Sequence, residues 1–260
     1  MLPLVLVLML ALVPYPIAAA NSAAQTGARD LVNAKARQLF LLHRREIKAL
    51  ERTLHNAAFR DYFVTTDPVR QAQLRSEIEQ ASRKLQHFSA SEEICLIDRS
   101  GHELVRLVDG VLEPHINHGQ DAKYFFDAAF ALPEGDVLVS PVYRAHALDR
   151  WVFAYVTPVR VAGANVALLH YAQELASFIA ALGEGLDGAR QALLVVDEAG
   201  SVLFDSRQPQ AALDAASLPE RVGGHSGAAV VAAAEAGETL DGFATAAKKV
   251  RGWTLVALQL

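Results

Sequence analysis

Few side chains in this sequence are spaced for chemistry, and each set makes a definite demand. His115-x-x-His118 with Asp121 offers ligand types that zinc accepts, but residues 113–120 read as a loop with no fourth ligand apparent. Gly224-His225-Ser226-Gly227 superficially resembles a nucleophile elbow, yet that turn needs glycine two positions before and two after the serine, and position 228 is Ala228. Gly183-x-Gly185-x-x-Gly188 has the spacing of a phosphate loop but follows a helix-like stretch rather than a strand. No catalytic centre, metal or cofactor is expected from these patterns. Binding chemistry remains. Arg144 and Arg150 flank residues 145–149, and a guanidinium grips a carboxylate through a paired fork of hydrogen bonds. Beside them, Trp151, Phe153, Tyr155 and Thr157 share one face of a strand by its period of two, with Val152, Ala154 and Val156 on the other. Such an aromatic row is either core or the wall of a ligand cup, and the arginines are either solvated or a carboxylate grip.

These residues need a scaffold, and composition says what kind. The chain has 260 residues, 52% of them hydrophobic and 20% charged, with a formal charge of −5, which excludes a disordered chain and gives no footprint for nucleic acid. One cysteine, Cys95, excludes a disulfide framework and a cysteine-rich zinc site. Residues 2–20 carry no charged side chain and end in Ala18-Ala19-Ala20, the small-residue pattern of an export signal that is either cleaved or kept as an anchor. Residues 21–260 are therefore expected to be periplasmic or otherwise extracytoplasmic.

A long helix follows. Val32, Leu39, His43, Ile47, Leu50, Leu54 and Ala57 mark one buried stripe. Residues 29–84 hold 12 Lys plus Arg against 7 Asp plus Glu, mostly on the other faces. Asp67-Pro68 opens a second helix, in which Leu74, Ile78, Ala81, Leu85 and Phe88 form a short heptad seam. The seam serves either a homodimer through the N-terminal helices or packing on the chain's own domain.

From residue 91 strands and turns take over, and the pattern repeats. Residues 94–105 and 193–204 both read strand, Asp-x-x-Gly turn, strand, the aspartate bonding backbone two residues on and the glycine taking a positive φ. A second echo joins Tyr155-Val156-Thr157 to Phe243-Ala244-Thr245. Each unit reads as hairpin, helix and meander. In the first, a helix is expected over 121–132, strands near 136–143, 151–160 and 165–171, and a linking helix over 172–182; in the second, 228–236 fits helix or strand. The expectation is an α+β fold with two antiparallel sheets of about five strands. Its divisions are 1–20 (signal or anchor), 21–90 (helices), 91–182 (first unit) and 183–260 (second, smaller unit).

The stretches ICLIDRSGHELVRL, YFFDAAFALPEGDVLVSPVY, VFAYVTPVRVAGANVALLHY and RGWTLVALQL, with Ser140-Pro141 among them, give a chain that resembles the double Cache family of extracytoplasmic sensor domains over residues 29–260. The resemblance implies two PAS-like modules on one long helix, with a small-molecule pocket in the membrane-distal first module. In amino-acid-binding members an Arg-x-Trp-Tyr pattern follows the first hairpin, and Lys123-Tyr124-Phe125-Phe126 stands in its place here. It implies Lys123 and Tyr124 as acid-binding groups and His170 near a position that is often acidic in relatives. Tyr143, closing the second stretch beside Arg144, joins the candidate set. The expected function is non-catalytic sensing of a small organic ligand, an amino acid or carboxylate, coupled to a signalling output protein or domain. The alternatives are a soluble periplasmic solute-binding or accessory protein and, third, an enzyme.

Overall fold

The computed structural model describes residues 15–89, 92–113, 122–146 and 148–260, with side chains from residue 21. The expected signal segment lies almost wholly outside them, as do His115, His118 and Asp121. Among the described residues no helix is long and apolar enough to cross a membrane.

Helix α1 (Tyr15–Leu54) is about 60 Å long at 1.5 Å per residue. Its stripe is buried as the spacing predicts at Val32, Leu39, His43, Ile47 and Leu50, whereas Ala57 is exposed beyond the helix end. After the short α2 (Ala58–Asp61), α3 (Pro68–Ser89) starts where Asp67 Oδ1 accepts from the Val69 N–H at 3.0 Å. Leu74, Ile78 and Leu85 of its seam are buried in this chain, against α1, α2 and the first sheet, while Phe88 is exposed under the Arg52 guanidinium.

The first sheet comprises β1 (Glu93–Asp98), β2 (Glu103–Val108), β3 (Val111–Leu112), β4 (Leu138–Val139), β5 (Tyr143–Ala145), β6 (Arg150–Val161) and β7 (Ala164–Glu174). Its order is β3-β2-β1-β7-β6-β4, with β5 also on β6, and every pair is antiparallel. The second holds β8 (Gln191–Asp197), β9 (Val202–Asp205), β12 (Thr239–Leu240), β13 (Phe243–Val250) and β14 (Trp253–Gln259) in the order β12-β13-β14-β8-β9. Between β9 and β12 lie a two-stranded ribbon, β10 (Arg221–Val222) with β11 (His225–Ser226), and a helix.

With the edge strand β3 set aside and β4 and β5 taken as one broken strand, both sheets run second, first, fifth, fourth, third, so the sequence repeat is a repeat of topology. It extends to detail. Asp98 and Asp197 each hold their turn by side-chain bonds to backbone N–H groups, and Gly101 and Gly200 sit at φ 86° and 87°. Both hairpins then shift register by one residue, between Leu96 and Ile97 and between Val195 and Val196.

Three expectations change, and one alternative is decided. The first sheet has seven strands instead of about five, because β3 is added at its edge and the strand expected over 136–143 is two strands. Pro141, with no N–H, breaks that strand, and the Ser140 hydroxyl accepts from Ala154 N–H at 2.8 Å across the break. The helix expected over 121–132 is, among the described residues, only α4 (Phe126–Phe130), preceded by a turn at 123–125. The linking helix is α5 (Leu175–Gly183), because β7 keeps its sheet partner through Glu174, paired with Val152. The alanine-rich stretch is α6 (Gly227–Ala236), capped by Ser226 Oγ on Ala229 N–H and ended by Gly237 at φ 71°.

Helix α1 backs both sheets. Near its start Gln25 donates to Thr245 O of β13 at 2.7 Å. Midway, Lys35 and Gln38 donate to Glu184 O and Ala181 O, carbonyls that the end of α5 leaves unpaired. Further on, His43 meets Tyr155 OH at 2.7 Å through Nδ1 and packs 5.4 Å from both Phe178 of α5 and Trp253 of β14. Glu46, fully buried, accepts from Tyr171 OH at 3.1 Å and pairs with Arg45 at 2.6 Å.

Two substitutions test this framework by chemical denaturation. Tyr155→Phe leaves His43 with neither ring nitrogen bonded, since Nε2 has no partner already, and should cost about 1–3 kcal/mol. Gly227→Ala would put a Cβ 2.3 Å from the Gly200 carbonyl oxygen and should cost roughly 2–3 kcal/mol through forced separation of α6 from the β8–β9 turn.

Candidate functional site

Strand alternation sorts the first sheet into two faces. Ile94, Leu96, Phe153, Tyr155 and Tyr171 point to the core under α1, while Cys95, Ile97, Val152, Ala154, Val156, Leu168 and Ala172 form the opposite face beneath α4. The aromatic row of β6 therefore belongs to the helix-backed face.

On the opposite face a polar row crosses the sheet. Arg106 lies beside Cys95, Cys95 beside His170, and His170 beside Val156 in cross-strand register. Arg106, only 3% exposed, bonds Glu93 at 3.1 Å and Glu103 at 3.3 Å. Glu103 and Arg106 are three residues apart and would face opposite ways in a regular strand. The register shift in the β1–β2 hairpin sets Glu103 opposite Ile97 and returns it to the same side. Cys95 Sγ is 3.2 Å from Glu93 Oε1.

Over this floor the turn before α4 lays Phe125 parallel to His170, with centroids 4.6 Å apart. Tyr143 OH is 3.4 Å from His170 Nε2, Tyr124 stacks on Tyr143 at 4.8 Å, and Lys123 Nζ lies 4.9 Å over Tyr124.

The electrostatics follow from burial. Desolvation, with Arg106 adding to it, lowers the His170 pKa to about 3, so the imidazole is neutral. Burial, then Glu93, pushes the Cys95 thiol up and keeps it protonated. A thiol facing an imidazole across two strands is thus the reverse of a thiolate–imidazolium nucleophile pair. Burial opposes the charge of Arg106, but Glu93 and Glu103 outweigh it and raise its pKa. Glu93, Cys95 and Glu103 bring three ligand atoms within 4.8 Å of one another, but Arg106 already occupies the carboxylates, and a cation there would have to displace it. Two buried atoms of the row, His170 Nδ1 and Arg106 Nε, have no hydrogen-bond partner among the described residues. Each such omission costs about 1–3 kcal/mol, and that cost is recovered when a bound molecule supplies the partner.

Of the residues singled out in the sequence, Tyr124, Tyr143 and His170 come together here, with Lys123 exposed at the rim. Arg144 pairs with Asp149 at 2.8 Å, and Arg150 with Glu92 at 3.2 Å, both guanidiniums at the solvent edge. Trp151 donates from Nε1 to Ala215 O at 3.1 Å, and Tyr155 meets His43. His225 pairs with Asp241 at 3.2 Å, and Ser226 is a helix cap. Glu93, Glu103, Arg106 and Phe125 are the members that sequence reasoning missed. A charged residue inside the apolar run Leu104-Val105-Arg106-Leu107-Val108 is the signal that pointed to them.

No family model matches the chain, and no curated protein matches it in sequence. Its fold is shared with solved structures. The sensory domain of the Campylobacter jejuni chemoreceptor Tlp3, with isoleucine bound, superposes with a TM-score of 0.71 at 11% identity, covering 95% of this chain and 96% of that one. The ligand-binding domain of the Pseudomonas fluorescens chemoreceptor CtaA, in complex with L-isoleucine, gives 0.65 at 16% identity over 93% and 94%. The tandem fold that the sequence resemblance implied is the observed one.

Burial of neutral histidine makes stability pH-dependent. His43, by burial and then Arg251, is lowered to about 3 as His170 is, against 6.5 for an unperturbed imidazole. The unfolded chain therefore binds more protons between those values, and stability falls as pH drops through 6.5. From pH 6.5 to 5 the two histidines should remove about 3 kcal/mol in a denaturant titration, and His170→Gln should cut that loss by about half.

Proposed function

We propose that this chain is an extracytoplasmic sensory domain that binds a small amino acid or related carboxylate on the face of the first sheet away from α1, without catalysing a reaction. One observation carries the reading: a buried row of charged and polar side chains, Glu93, Glu103, Arg106 and His170, lies under Phe125 with two of its atoms unpartnered among the described residues. The fold supports it, since the two structures described above hold isoleucine. Arg106 Nε–H offers a hydrogen bond to the carboxylate of an amino acid, whose ammonium balances the second negative charge of Glu93 and Glu103, and Phe125, Ala154 and Val156 give the apolar contact that an aliphatic side chain needs.

Transmission uses the same strands. Residues 152, 154 and 156 of β6 touch the site, while Phe153 and Tyr155 hold α1 and α5. A ligand that prefers one spacing of these strands biases the position of α1 by its differential affinity. The apolar start of the chain supports export of residues 21–260, and Phe40 and Leu41, exposed on α1, are the surface offered to a second copy or an output partner.

The test is thermal denaturation of the full chain with each of the twenty amino acids and a set of short carboxylates. A ligand at a hundredfold excess over its Kd should add about 2.7 kcal/mol and raise the melting temperature by roughly 5–10 °C. His170→Ala and Tyr143→Ala should abolish the shift, whereas Arg144→Ala, on the solvent edge, should keep it. A shift that survives both of the first two changes, or none from any compound, sinks the proposal.

A further inference from the structure

A separate cleft of about 500 Å³ opens where α5 meets the second sheet. Ile179 and Ala180 of α5, Phe204 and Leu213 are among its apolar lining, and Gln191, Ser206, Arg207 and Gln210 are its polar lining. That volume lies in the range that holds a small molecule, and none of the lining belongs to the first sheet.

Within that polar lining Arg207 is held in place. Asp205 accepts from Arg207 at Nε and at Nη2, both at 2.9 Å, and from its backbone N–H at 2.9 Å. The guanidinium is therefore fixed in direction and balanced in charge, and Asp241 adds a further negative field. What it still presents is the other edge, Nη1, as a hydrogen-bond donor. Ser206 has the same character: its oxygen accepts from Leu193 N–H at 2.9 Å, which leaves its own O–H to donate.

These features select against charge of either sign. A carboxylate would bring a third negative group beside Asp205 and Asp241. An ammonium would lose its hydration against the apolar walls and find both oxygens of Asp205 already taken by Arg207. We propose that the cleft is a second binding site, independent of the first sheet, for a small neutral apolar molecule with one hydrogen-bond-accepting end such as an amide, ketone or ester carbonyl.

Its place gives it a consequence. Helix α5 joins the two sheets, its terminal carbonyls are held by Lys35 and Gln38 of α1, and its Phe178 touches His43 and Trp253. Two residues past Leu213, the Ala215 carbonyl holds Trp151 of the first sheet. A molecule in the cleft therefore leans on two of the connections between the sheets, and the chain's two tryptophans stand at them.

The experiment titrates the full chain with benzamide, benzoate and benzylamine, reading tryptophan fluorescence and binding heat. Benzamide should bind saturably and at least tenfold more tightly than either charged analogue, with a change in emission that Trp151→Phe diminishes. Ala180→Phe, at an exposed position of α5, should fill the cleft and weaken benzamide at least tenfold while circular dichroism stays unchanged. Benzamide should still bind His170→Ala, which separates this site from the first. Equal binding of the charged analogues, undiminished binding to Ala180→Phe, or no saturable binding of benzamide overturns the proposal.

Discussion

One helix must satisfy two sheets at once, and the place where it does so is the buried contact between α1 and the aromatic side chains of both. His43 and Glu46 are fully buried. An imidazole and a carboxylate tolerate that only with partners, and the partners are Tyr155 and Tyr171, neighbours on β6 and β7 that stack on each other at 5.1 Å. Around them Phe153, Phe178 and Trp253 come from the first sheet, the linking helix and the second sheet. Moving α1 along either sheet would break hydrogen bonds to buried groups. The helix is therefore indexed to both sheets by polar contacts that have few acceptable positions, where an apolar contact alone would slide.

That constraint explains the division of labour between the two faces of the first sheet. The face under α1 is committed to structure, which leaves the other face of this sheet for the proposed ligand. There the sheet carries charges that a purely structural core would omit. The link between faces is short: adjacent residues of β6 and β7, such as Ala154 and Tyr155 or His170 and Tyr171, point to opposite sides. A shift of strand spacing under a ligand is a shift of the tyrosines that hold α1.

The second sheet shows what the same topology does without such a row. Its face away from α1 carries Leu194, Val202, Val256 and Leu258, buried and apolar, against Val230 of an α6 seated so closely that Gly227 meets the Gly200 carbonyl. Two copies of one strand order thus differ in what the alternate positions hold. Cys95 and His170 lie where the second copy has Leu194 and Val256, while the place of Arg106 is taken by Asp205, whose charge is met by Arg207 at the solvent edge and not inside the sheet.

Much of this was legible in the chain itself. The period of α1, the Asp67 cap, the paired Asp-x-x-Gly turns and the 99-residue repeat are local patterns, set by backbone geometry and by which side chains avoid water, and they led to the α+β tandem. Ser140-Pro141 stood among the stretches that carried the resemblance, within a strand expected to be continuous, but the split of that strand into two depended on a hydroxyl reaching Ala154 across the sheet. The site was harder to see. A period of two correctly put Trp151, Phe153 and Tyr155 on one face, yet alternation says nothing of which face meets a helix more than a hundred residues away. Glu103 and Arg106 share a side only because of a register shift, which is a property of two strands and not of one. Sequence alone determined where strands, turns and the long helix begin and which residues alternate; only the tertiary structure decided which face each alternate set received, because that choice is made by contacts between segments far apart in the chain.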